Sequence, residues 1–509
     1  MSALLQVKIW VGSFRGEGPN WRMEMLFNSY AFIFFFLPIT FAGYFILNRR
    51  KLALAAKTWL VLASLFFYGY WNPIYILLIL GSVGFNYMVG SLLIRNNRSP
   101  ASSRSLLVLG IAGNLFLLTY FKYMDFFITN VNAISSVNLK LLHITLPLGI
   151  SFLTFTQIAY LADAAKGTVH ERNFLNYSLF VTFFPRLLVG PIVRYREITP
   201  QFGALRNKLL NYKYIAQGLA LLFLGLFKKV IIADRLGDWA HAGFDTAASL
   251  TLLEAWMTSL SYTLQLYFDF SGYTDMALGA SLLFNIKLPI NFNSPYRSLT
   301  IQEFWRRWHV TLGRFIRDYI YIPLGGSRTS ELRTILNILV TFFLVGLWHG
   351  AGWTFVLWGL LHGCGLVIFR LWQKGSFRLP RFASWLITFN FINAAWVFFR
   401  AQTFSDAAKV LKGMAGLTGV ILPERFAHLP SALKTYGIQF GNMLPTLQLK
   451  GKMFFYLVVF FLLAVLFKNS GEMTEKLKPS WRTVAVLSVI LVYAVLNLNK
   501  TNEFIYFNF

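Results

Sequence analysis

Long apolar segments without a charged residue constrain this chain more than any other feature of its sequence. Four of them lie at residues 29–47, 105–121, 453–467 and 483–499. An α-helix needs about 20 apolar residues to cross the hydrocarbon core of a bilayer, and about 17 are sufficient. Most of these segments are long enough, and inside lipid a helix satisfies its own backbone hydrogen bonds. The sequence therefore predicts an all-α polytopic membrane protein.

The composition supports this prediction, because 56% of the residues are apolar and only 13% are charged. The remaining apolar segments raise the expected number of transmembrane or re-entrant helices to about 11–13. Two of these segments, residues 144–163 and 183–197, are interrupted by Pro and Gly. Broken helices at membrane depth occur where protein buries them or where they line a water-filled cavity. We therefore expect the middle of the chain to surround a site.

The net charge of +27 has a topological explanation. A soluble domain with this charge would suggest nucleic acid as a partner, but cytoplasmic loops of membrane proteins collect Lys and Arg. The basic loops at residues 48–51 and 95–104 are separated by two predicted spans, so both should lie in the cytoplasm. We predict no nucleic-acid partner. The single cysteine, Cys364, excludes an intramolecular disulfide and a cysteine-cluster metal site, and we predict no metal.

Two segments differ from the predicted spans. Residues 1–24 contain neither a usable span nor a cleavable signal pattern, so we expect an N-terminal extension before a single transmembrane domain at residues 25–509. Residues 401–451 form the largest polar interruption and are expected to lie outside the membrane. Within them, the stretch 404–417 predicts a surface helix that is capped by Ser405 and has Asp406 in its first turn.

The stretch from residue 303 to 326, EFWRRWHVTLGRFIRDYIYIPLGG, is unusually rich in arginine and tryptophan. On one continuous helix over residues 305–318, the arginines occupy one arc and the aromatic and aliphatic side chains the opposite arc. A helix of this kind lies in the membrane interface. Glu303 with Arg307, and Arg314 with Asp318, have the i,i+4 spacing of helix ion pairs.

The basic face of this predicted helix has two interpretations. It could be a simple interfacial anchor, or it could bind the phosphates of a cytoplasmic donor, because guanidinium groups bind phosphate bidentately. The residue pattern leaves both open. The candidate donor-binding residues are Trp305, Arg306 and Arg307.

Two histidines lie in apolar surroundings. His309 falls among the apolar side chains of the arginine-rich stretch, where a histidine is more often a packed core residue. His349 follows the apolar run 335–348, which climbs about 22 Å from the basic loop 325–333. Ionisable groups at that depth are costly and mark function, and imidazole suits proton transfer near neutral pH. His349 is therefore the candidate catalytic base, against the alternative of a packed neutral histidine.

Residues 265–279, QLYFDFSGYTDMALG, place carboxylates in another apolar region. Buried carboxylates need partners, which nearby arginines or a histidine could supply. Asp269 is equally compatible with a polar clamp between helices and with a direct role in the site. Asp269 and the adjacent Tyr267 are further candidates for substrate or donor binding. The chain lacks G-x-S-x-G, Walker, G-x-G-x-x-G and H-E-x-x-H motifs, so serine hydrolases, NTPases, dinucleotide enzymes and zinc proteases have no support.

Residues 265–279, 291–326 and 346–363 together resemble the membrane-bound O-acyltransferase (MBOAT) family. The most similar branch is the bacterial one that contains the membrane proteins for alginate O-acetylation and teichoic-acid D-alanylation. The resemblance covers essentially everything after residue 24. Arg186, in the motif FFPRL, departs from the His or Gln more often found there.

This resemblance implies an MBOAT fold, with tilted helices around a central tunnel. His349 corresponds to the family histidine at the narrow point, and His309 to an earlier family histidine. The implied activity is transfer of an acyl group, usually acetyl, from a cytoplasmic thioester such as acetyl-CoA, without a tightly bound cofactor. The chain length and the polar segment 401–451 favour O-acetylation of a polysaccharide, such as alginate, over D-alanylation.

The resemblance also implies an extracytoplasmic partner of the SGNH-hydrolase type and a location in the bacterial cytoplasmic (inner) membrane. On this hypothesis His349 is the general base, His309 stabilises the oxyanion, and Arg306 and Arg307 hold donor phosphates. Two other classes remain open from the residues alone. One is a channel or flippase for an acyl or glycan carrier, since intramembrane His and Asp also suit a transport path. The other is a scaffold that docks the true transferase.

Overall fold

The computed structural model describes residues 25–95, 100–135, 137–424, 438–445, 447, 452–478, 480–498 and 504–505. The extension expected at residues 1–24 lies outside these described residues. Seven helices in the described part are long and apolar enough to cross a membrane, and three shorter apolar helices accompany them, so the prediction of an all-α polytopic membrane protein is confirmed. The long helices are α1 (Phe32–Arg49), α3 (Ile74–Arg95), α4 (Ala101–Ile134), α9 (Tyr212–Thr246), α13 (Glu331–His349), α14 (Trp353–Trp372) and α15 (Arg381–Arg400). The shorter apolar helices are α2 (Ala53–Gly69), α17 (Lys452–Leu466) and α19 (Trp481–Leu496).

The remaining elements complete the site and the polar segment. They are α5 (Ile150–Ala165), α6 (Phe174–Thr182), α7 (Phe184–Leu187), α8 (Tyr195–Gly203), α10 (Leu252–Leu283), α11 (Ile301–Arg307), α12 (Val310–Ile316), α16 (Phe404–Met414), α18 (Ser470–Glu475) and the parallel strand pair β1 (Val420–Pro423) and β2 (Ile438–Gly441). Short 3-10 turns lie at Leu205–Lys208 and Pro295–Arg297, and π-helical turns lie within α1, α4 and α9 and directly after α12.

Helix α10 is the buried centre of the molecule. A capping box between Thr251 and Glu254 starts it, because the two side chains satisfy otherwise unpaired backbone N–H groups. It packs against α9 with the two backbones in contact. A Cβ atom added to Gly225 would lie 2.5 Å from the carbonyl oxygen of Gly272. Small residues permit such close helix packing in membranes, and this pair holds α10 in place.

The interrupted segments fold as the sequence predicts, as short helices joined by buried turns. Helix α6 ends at Thr182, and Pro185 stands in the first turn of α7. The neighbouring helix α5 begins after Gly149, whose φ of +71° is a left-handed conformation. A Cβ atom at Gly149 would also lie 2.7 Å from the carbonyl oxygen of Leu188. Glycine is therefore required at the point where these two segments cross.

The continuous helix predicted over residues 305–318 is wrong. Helix α11 ends at Arg307, and α12 begins after His309, which has a left-handed φ of +44°. The cause is a distant segment that inserts at the break. The Val310 amide donates to the Asn291 carbonyl, and the Arg307 carbonyl accepts from the Asn293 amide, both at 2.9 Å. These bonds replace helical ones, so the arginines do not share one arc.

The ion pairs of this region differ from the expected set in one case. Arg307 pairs with Glu303 at 2.9 Å, as predicted. The predicted pair of Arg314 with Asp318 is wrong, because Arg314 instead pairs with Glu197 of α8 at 2.8 Å. Asp318 pairs with Arg194 and Arg317. A bidentate contact between helices replaces the contact along one helix, since Arg314 donates to both Glu197 oxygens.

The helix predicted within the polar segment is present, but its cap is not Ser405. Helix α16 begins at Phe404 and is capped by Thr403. The Thr403 hydroxyl accepts from the Asp406 amide at 3.1 Å, and the Asp406 carboxylate accepts from the Thr403 amide at 3.1 Å. This reciprocal capping box needs a carboxylate three positions after the cap, and Asp406 stands three positions after Thr403 but only one after Ser405.

Candidate functional site

His349 is the last residue of α13 and lies at the end of that helix opposite Glu331. At 1.5 Å per residue, the two ends are about 27 Å apart. The side chain is 3% exposed, and its ring contacts the rings of Trp358 (5.0 Å between centroids) and Phe399 (5.1 Å). His349 is therefore packed on one side by aromatic rings.

On its other side His349 lines a cleft with an empty volume of about 420 Å3, counting the space open to solvent. We call it the His349 cleft. Lys122, Trp348, Val189 and the segment 146–152 complete its wall. The histidine is thus buried without being sealed. A polar group placed beside an open volume inside an apolar protein is a candidate reactive group.

Lys122 fixes the end of helix α13. Its ammonium donates to the backbone carbonyl oxygens of Trp348 (2.5 Å) and His349 (3.0 Å). The hydroxyl of Tyr123 donates to the carbonyl oxygen of Leu347 at 2.7 Å. The last carbonyls of a helix have no partners within it, and a cation there also interacts favourably with the helix dipole. These three carbonyls therefore hold the backbone of His349 in one position.

A π-helical turn at Thr119–Tyr123 presents Lys122 and Tyr123 to α13. Such turns are rare and frequently occur at functional sites. Lys122 did not enter the predicted site, although a usable signal was present. It lies within the 34-residue apolar helix α4, and a charge at membrane depth is by default a functional candidate.

A second cavity adjoins the first. It is a narrow crevice that leaves no room for a water molecule, and it is lined by Thr156, Arg186 and apolar residues of α5, α6 and the segment 187–192. We call it the Arg186 cavity. Phe152 lines both the His349 cleft and the Arg186 cavity. The two spaces therefore meet at one aromatic side chain.

His309 is fully buried at the break between α11 and α12. Its Nδ1 lies 3.3 Å from the side-chain oxygen of Asn291, and this oxygen also accepts from the Thr311 hydroxyl at 2.6 Å. The oxygen is an acceptor, so the hydrogen of neutral His309 is on Nδ1 and Nε2 carries the lone pair. The ring contacts Phe152 (6.2 Å) and Trp348 (6.5 Å), which line the His349 cleft.

Trp305 belongs to an aromatic cluster around a third buried histidine. Its Nε1 donates to Nδ1 of His362 at 3.2 Å, and His362 lies 4.8 Å from the ring of Trp358. Trp358 also contacts His349. The structure thus links Trp305 to His349 through two intervening rings, while Trp305 itself lines neither the His349 cleft nor the Arg186 cavity.

The other predicted residues lie away from the two cavities. Arg306 is exposed, and Arg307 pairs with Glu303 and donates to the Asn293 carbonyl at 3.1 Å. Tyr267 is buried among aromatic rings, with Tyr296 at 5.4 Å.

Asp269 forms a buried clamp between helices. It pairs with Lys229 of α9 at 2.9 Å and accepts from the Ile505 amide at 2.9 Å. The sequence correctly indicated that this buried carboxylate needs a partner, and the partner is a lysine rather than an arginine or histidine. The clamp ties α9, α10 and the C-terminal segment together.

These features define a polytopic helical membrane protein with a buried histidine at a cleft. The chain matches the sequence profile of the MBOAT, membrane-bound O-acyltransferase family over residues 41–404. It is 47% identical over 519 aligned residues to a peptidoglycan O-acetyltransferase of Helicobacter pylori, with 95% of this chain and 98% of that protein covered. It is 38% identical over 396 residues to a probable alginate O-acetylase of Pseudomonas aeruginosa, covering 77% and 75% of the two chains.

A teichoic acid D-alanyltransferase of Streptococcus thermophilus is 31% identical over 244 residues, with 45% of this chain and 57% of that protein covered. The chain therefore belongs to the membrane-bound O-acyltransferase family and is an acyltransferase. The family and fold class predicted from the sequence motifs are confirmed.

Proposed function

We propose that this protein O-acetylates an extracytoplasmic glycan, with the acetyl group taken from a cytoplasmic thioester and His349 as the general base. The observation that carries the proposal is the position of His349, a buried imidazole that lines a cleft inside the membrane protein. A buried imidazole beside a cleft can accept the proton of a hydroxyl that attacks a thioester bound there.

The orientation follows from the basic loops. Glu331, at the start of α13, pairs with Arg370 at the end of α14 at 2.9 Å, so these two ends share one face. The connecting segments at 325–333 and 370–381 are rich in Lys and Arg, which supports a cytoplasmic position for this face in a bacterial inner membrane. His349 then lies toward the extracytoplasmic face.

The chemistry needs one proton acceptor at the meeting point. The acceptor hydroxyl attacks the thioester carbonyl carbon, a C–O bond forms, and the hydroxyl proton passes to the neutral imidazole of His349. The C–S bond then breaks, and the sulfur leaves as a thiol with that proton. The acetyl donor is a substrate, in keeping with the prediction of no tightly bound cofactor.

For His309 we propose a different role from the one that the sequence suggested. With its hydrogen on Nδ1, neutral His309 has no hydrogen on Nε2 to donate to an oxyanion, and it does not line the His349 cleft. We assign it as a positioning residue that holds Phe152 and Trp348 through ring contacts. Arg306, Arg307 and Trp305 remain candidates for the donor mouth, where Arg306 is the exposed cation.

Peptidoglycan is the acceptor we favour over alginate, because the similarity to the Helicobacter protein extends over nearly the whole of both chains. The similarity to the alginate O-acetylase stops at 77% of this chain. Delivery to the polymer by an extracytoplasmic SGNH-type partner is part of the same proposal. Asp269 and Tyr267, which line neither cavity, are assigned to the framework of the site.

The proposal is tested with proteoliposomes that contain acetyl-labelled CoA on one side and peptidoglycan fragments, with or without an SGNH-type partner, on the other. We expect label on the fragments or on the partner, together with free thiol on the donor side. A channel or flippase would produce neither a labelled acceptor nor free thiol. A protein that leaves all thioester intact in every arrangement contradicts the proposal.

A further inference from the structure

The first turn of helix α5 forms one wall of the His349 cleft, which residues 149–152 line. The first amides of a helix have no acceptor within that helix. The Ile150 amide donates to the carbonyl oxygen of Pro147 at 3.2 Å, but the capping residue is Gly149, which has no side chain to accept from the amides that follow. The amides of Ser151 and Phe152 therefore remain available to a ligand in the cleft.

Two buried side-chain donors line the same cleft. Ser151 is 8% exposed, and among the described residues no acceptor takes the hydrogen of its hydroxyl. Trp348 is 6% exposed, and its indole N–H has no hydrogen-bond partner in the described part of the chain. A buried donor without an acceptor is unfavourable, so both groups are expected to meet an acceptor that a ligand brings.

The charge around the cleft is positive. Among the described residues that line it, Lys122 alone carries a formal charge, and its ammonium lies 3.5 Å from the Ser151 hydroxyl. The N-terminus of α5 adds a partial positive charge. The same ammonium donates to the His349 carbonyl at 3.0 Å, so Ser151 and His349 are held around one group. A negative charge that forms in the cleft is therefore stabilised beside the candidate base.

The proposed reaction produces such a charge for a short time. When the acceptor oxygen bonds to the thioester carbonyl carbon, one electron pair of the C=O bond moves onto the carbonyl oxygen. The pair returns as the C–S bond breaks. The cleft has room for a water molecule, and a carbonyl oxygen is of similar size. Donors that meet this oxygen stabilise the transition state more than the bound substrate, and therefore accelerate the reaction.

We propose that the first turn of α5 and the side chain of Trp348 form the oxyanion hole of this protein. The Ser151 hydroxyl, the Trp348 indole N–H and the first-turn amides donate to the carbonyl oxygen, while His349 takes the proton of the attacking hydroxyl. The inference rests on the proposed function for the reaction. It gives Ser151 and Trp348 the role that the sequence suggested for His309, whose Nε2 has no hydrogen to donate.

The binding of two CoA analogues to the purified protein in nanodiscs tests the oxyanion hole. Acetonyl-CoA has a CH2 group between the sulfur and the acetyl group, so it keeps the carbonyl and cannot transfer it. Trifluoroacetonyl-CoA has CF3 in place of the methyl group, so it hydrates to a tetrahedral diol that ionises to an oxyanion. We expect wild-type protein to bind the trifluoro analogue about 100-fold more tightly. Ser151→Ala and Trp348→Phe should each reduce this preference about tenfold or more, because each removes one donor.

Ser178 and Trp396 provide matched controls. Each is more than nine-tenths buried, carries a polar atom without a hydrogen-bond partner among the described residues, and lines neither cavity. Ser178→Ala and Trp396→Phe should therefore keep the full preference. Wild-type protein that shows no preference for the trifluoro analogue overturns the inference even if no variant folds. Ser151→Ala and Trp348→Phe proteins that keep the full preference also overturn it.

Turnover gives a second readout that a purely structural role would not move. Ser151→Ala should lower kcat by about 100-fold and leave the KM for acetyl-CoA unchanged, because the lost contact exists only in the transition state. The two proposals fail separately, since the binding test needs neither an acceptor nor turnover. A protein that prefers the trifluoro analogue through Ser151 and Trp348 but transfers no acetyl group contradicts only the proposed function. A protein that transfers acetyl groups, while both variants keep the wild-type kcat, contradicts only the oxyanion hole.

Discussion

Replacement of Lys122 by methionine tests whether the end of helix α13 positions the catalytic histidine. Methionine keeps most of the side-chain volume but removes the ammonium that donates to the carbonyl oxygens of Trp348 and His349 at 2.5 and 3.0 Å. A hydrogen bond from a charged donor contributes about 1.5–3 kcal/mol, so the two bonds together contribute at least about 3 kcal/mol. Removing the buried charge also removes the cost of desolvating it. The lower limit, about 3 kcal/mol, is therefore the better value for the loss.

A loss of about 3 kcal/mol from the orientation of His349 corresponds to about a 100-fold fall in kcat. Displacement of a catalytic group by about 1 Å has a similar effect. The assay measures acetyl transfer from acetyl-CoA by the purified protein, and kcat and the KM for acetyl-CoA are determined separately. Lys122 is expected to act on kcat, because it holds the backbone of the base.

The control is Lys213→Met, at an exposed lysine, which should change neither constant. Lys122→Arg should recover part of the activity, since it keeps the cation with a different donor geometry. If folded Lys122→Met protein retains kcat within threefold of wild type, or if the only change is a lower melting temperature, Lys122 does not position His349.

Two further predictions concern the framework that holds the site. Gly346→Ala should lower the thermal stability in detergent by about 1–3 kcal/mol, since its Cβ would lie 2.4 Å from the backbone oxygen of Phe355. Gly81→Ala is the control, because no atom lies within 4 Å of a Cβ there, and equal melting curves would refute the packing argument. Asp269→Asn should destabilise the protein by about 3 kcal/mol, because it leaves the buried Lys229 with one carboxylate fewer. An unchanged yield of monodisperse protein after heating would contradict that role.

The membrane spans and the place of His349 at the end of its apolar helix could be predicted because both depend on local sequence. A helix rises a known distance per residue, so the distance of its last residue from the basic loop at its start follows from the number of residues alone. The sequence also predicted that Asp269 has a partner, since a buried carboxylate is unfavourable unless it is paired or hydrogen-bonded. The capping box at Thr403 was accessible too, because its spacing is local.

The features that the sequence missed depend on distant segments. The helix break at His309 is caused by Asn291 and Asn293, which bond to the backbone across the break. Arg314 finds its carboxylate on Glu197, 117 residues away, instead of four residues along its own helix. The partners of Lys122 lie 226 and 227 residues further along the chain. Periodicity within one segment carries no information about such contacts.

The most direct test of the account is acetyl transfer by the His349→Gln variant. Glutamine keeps a polar side chain of similar size but cannot accept a proton near neutral pH. We expect folded His349→Gln protein in proteoliposomes to bind acetyl-CoA as wild type does and to leave acetyl-labelled CoA unreacted. Transfer of label to peptidoglycan fragments, or to an SGNH-type partner, at the wild-type rate would contradict the assignment of His349 as the base.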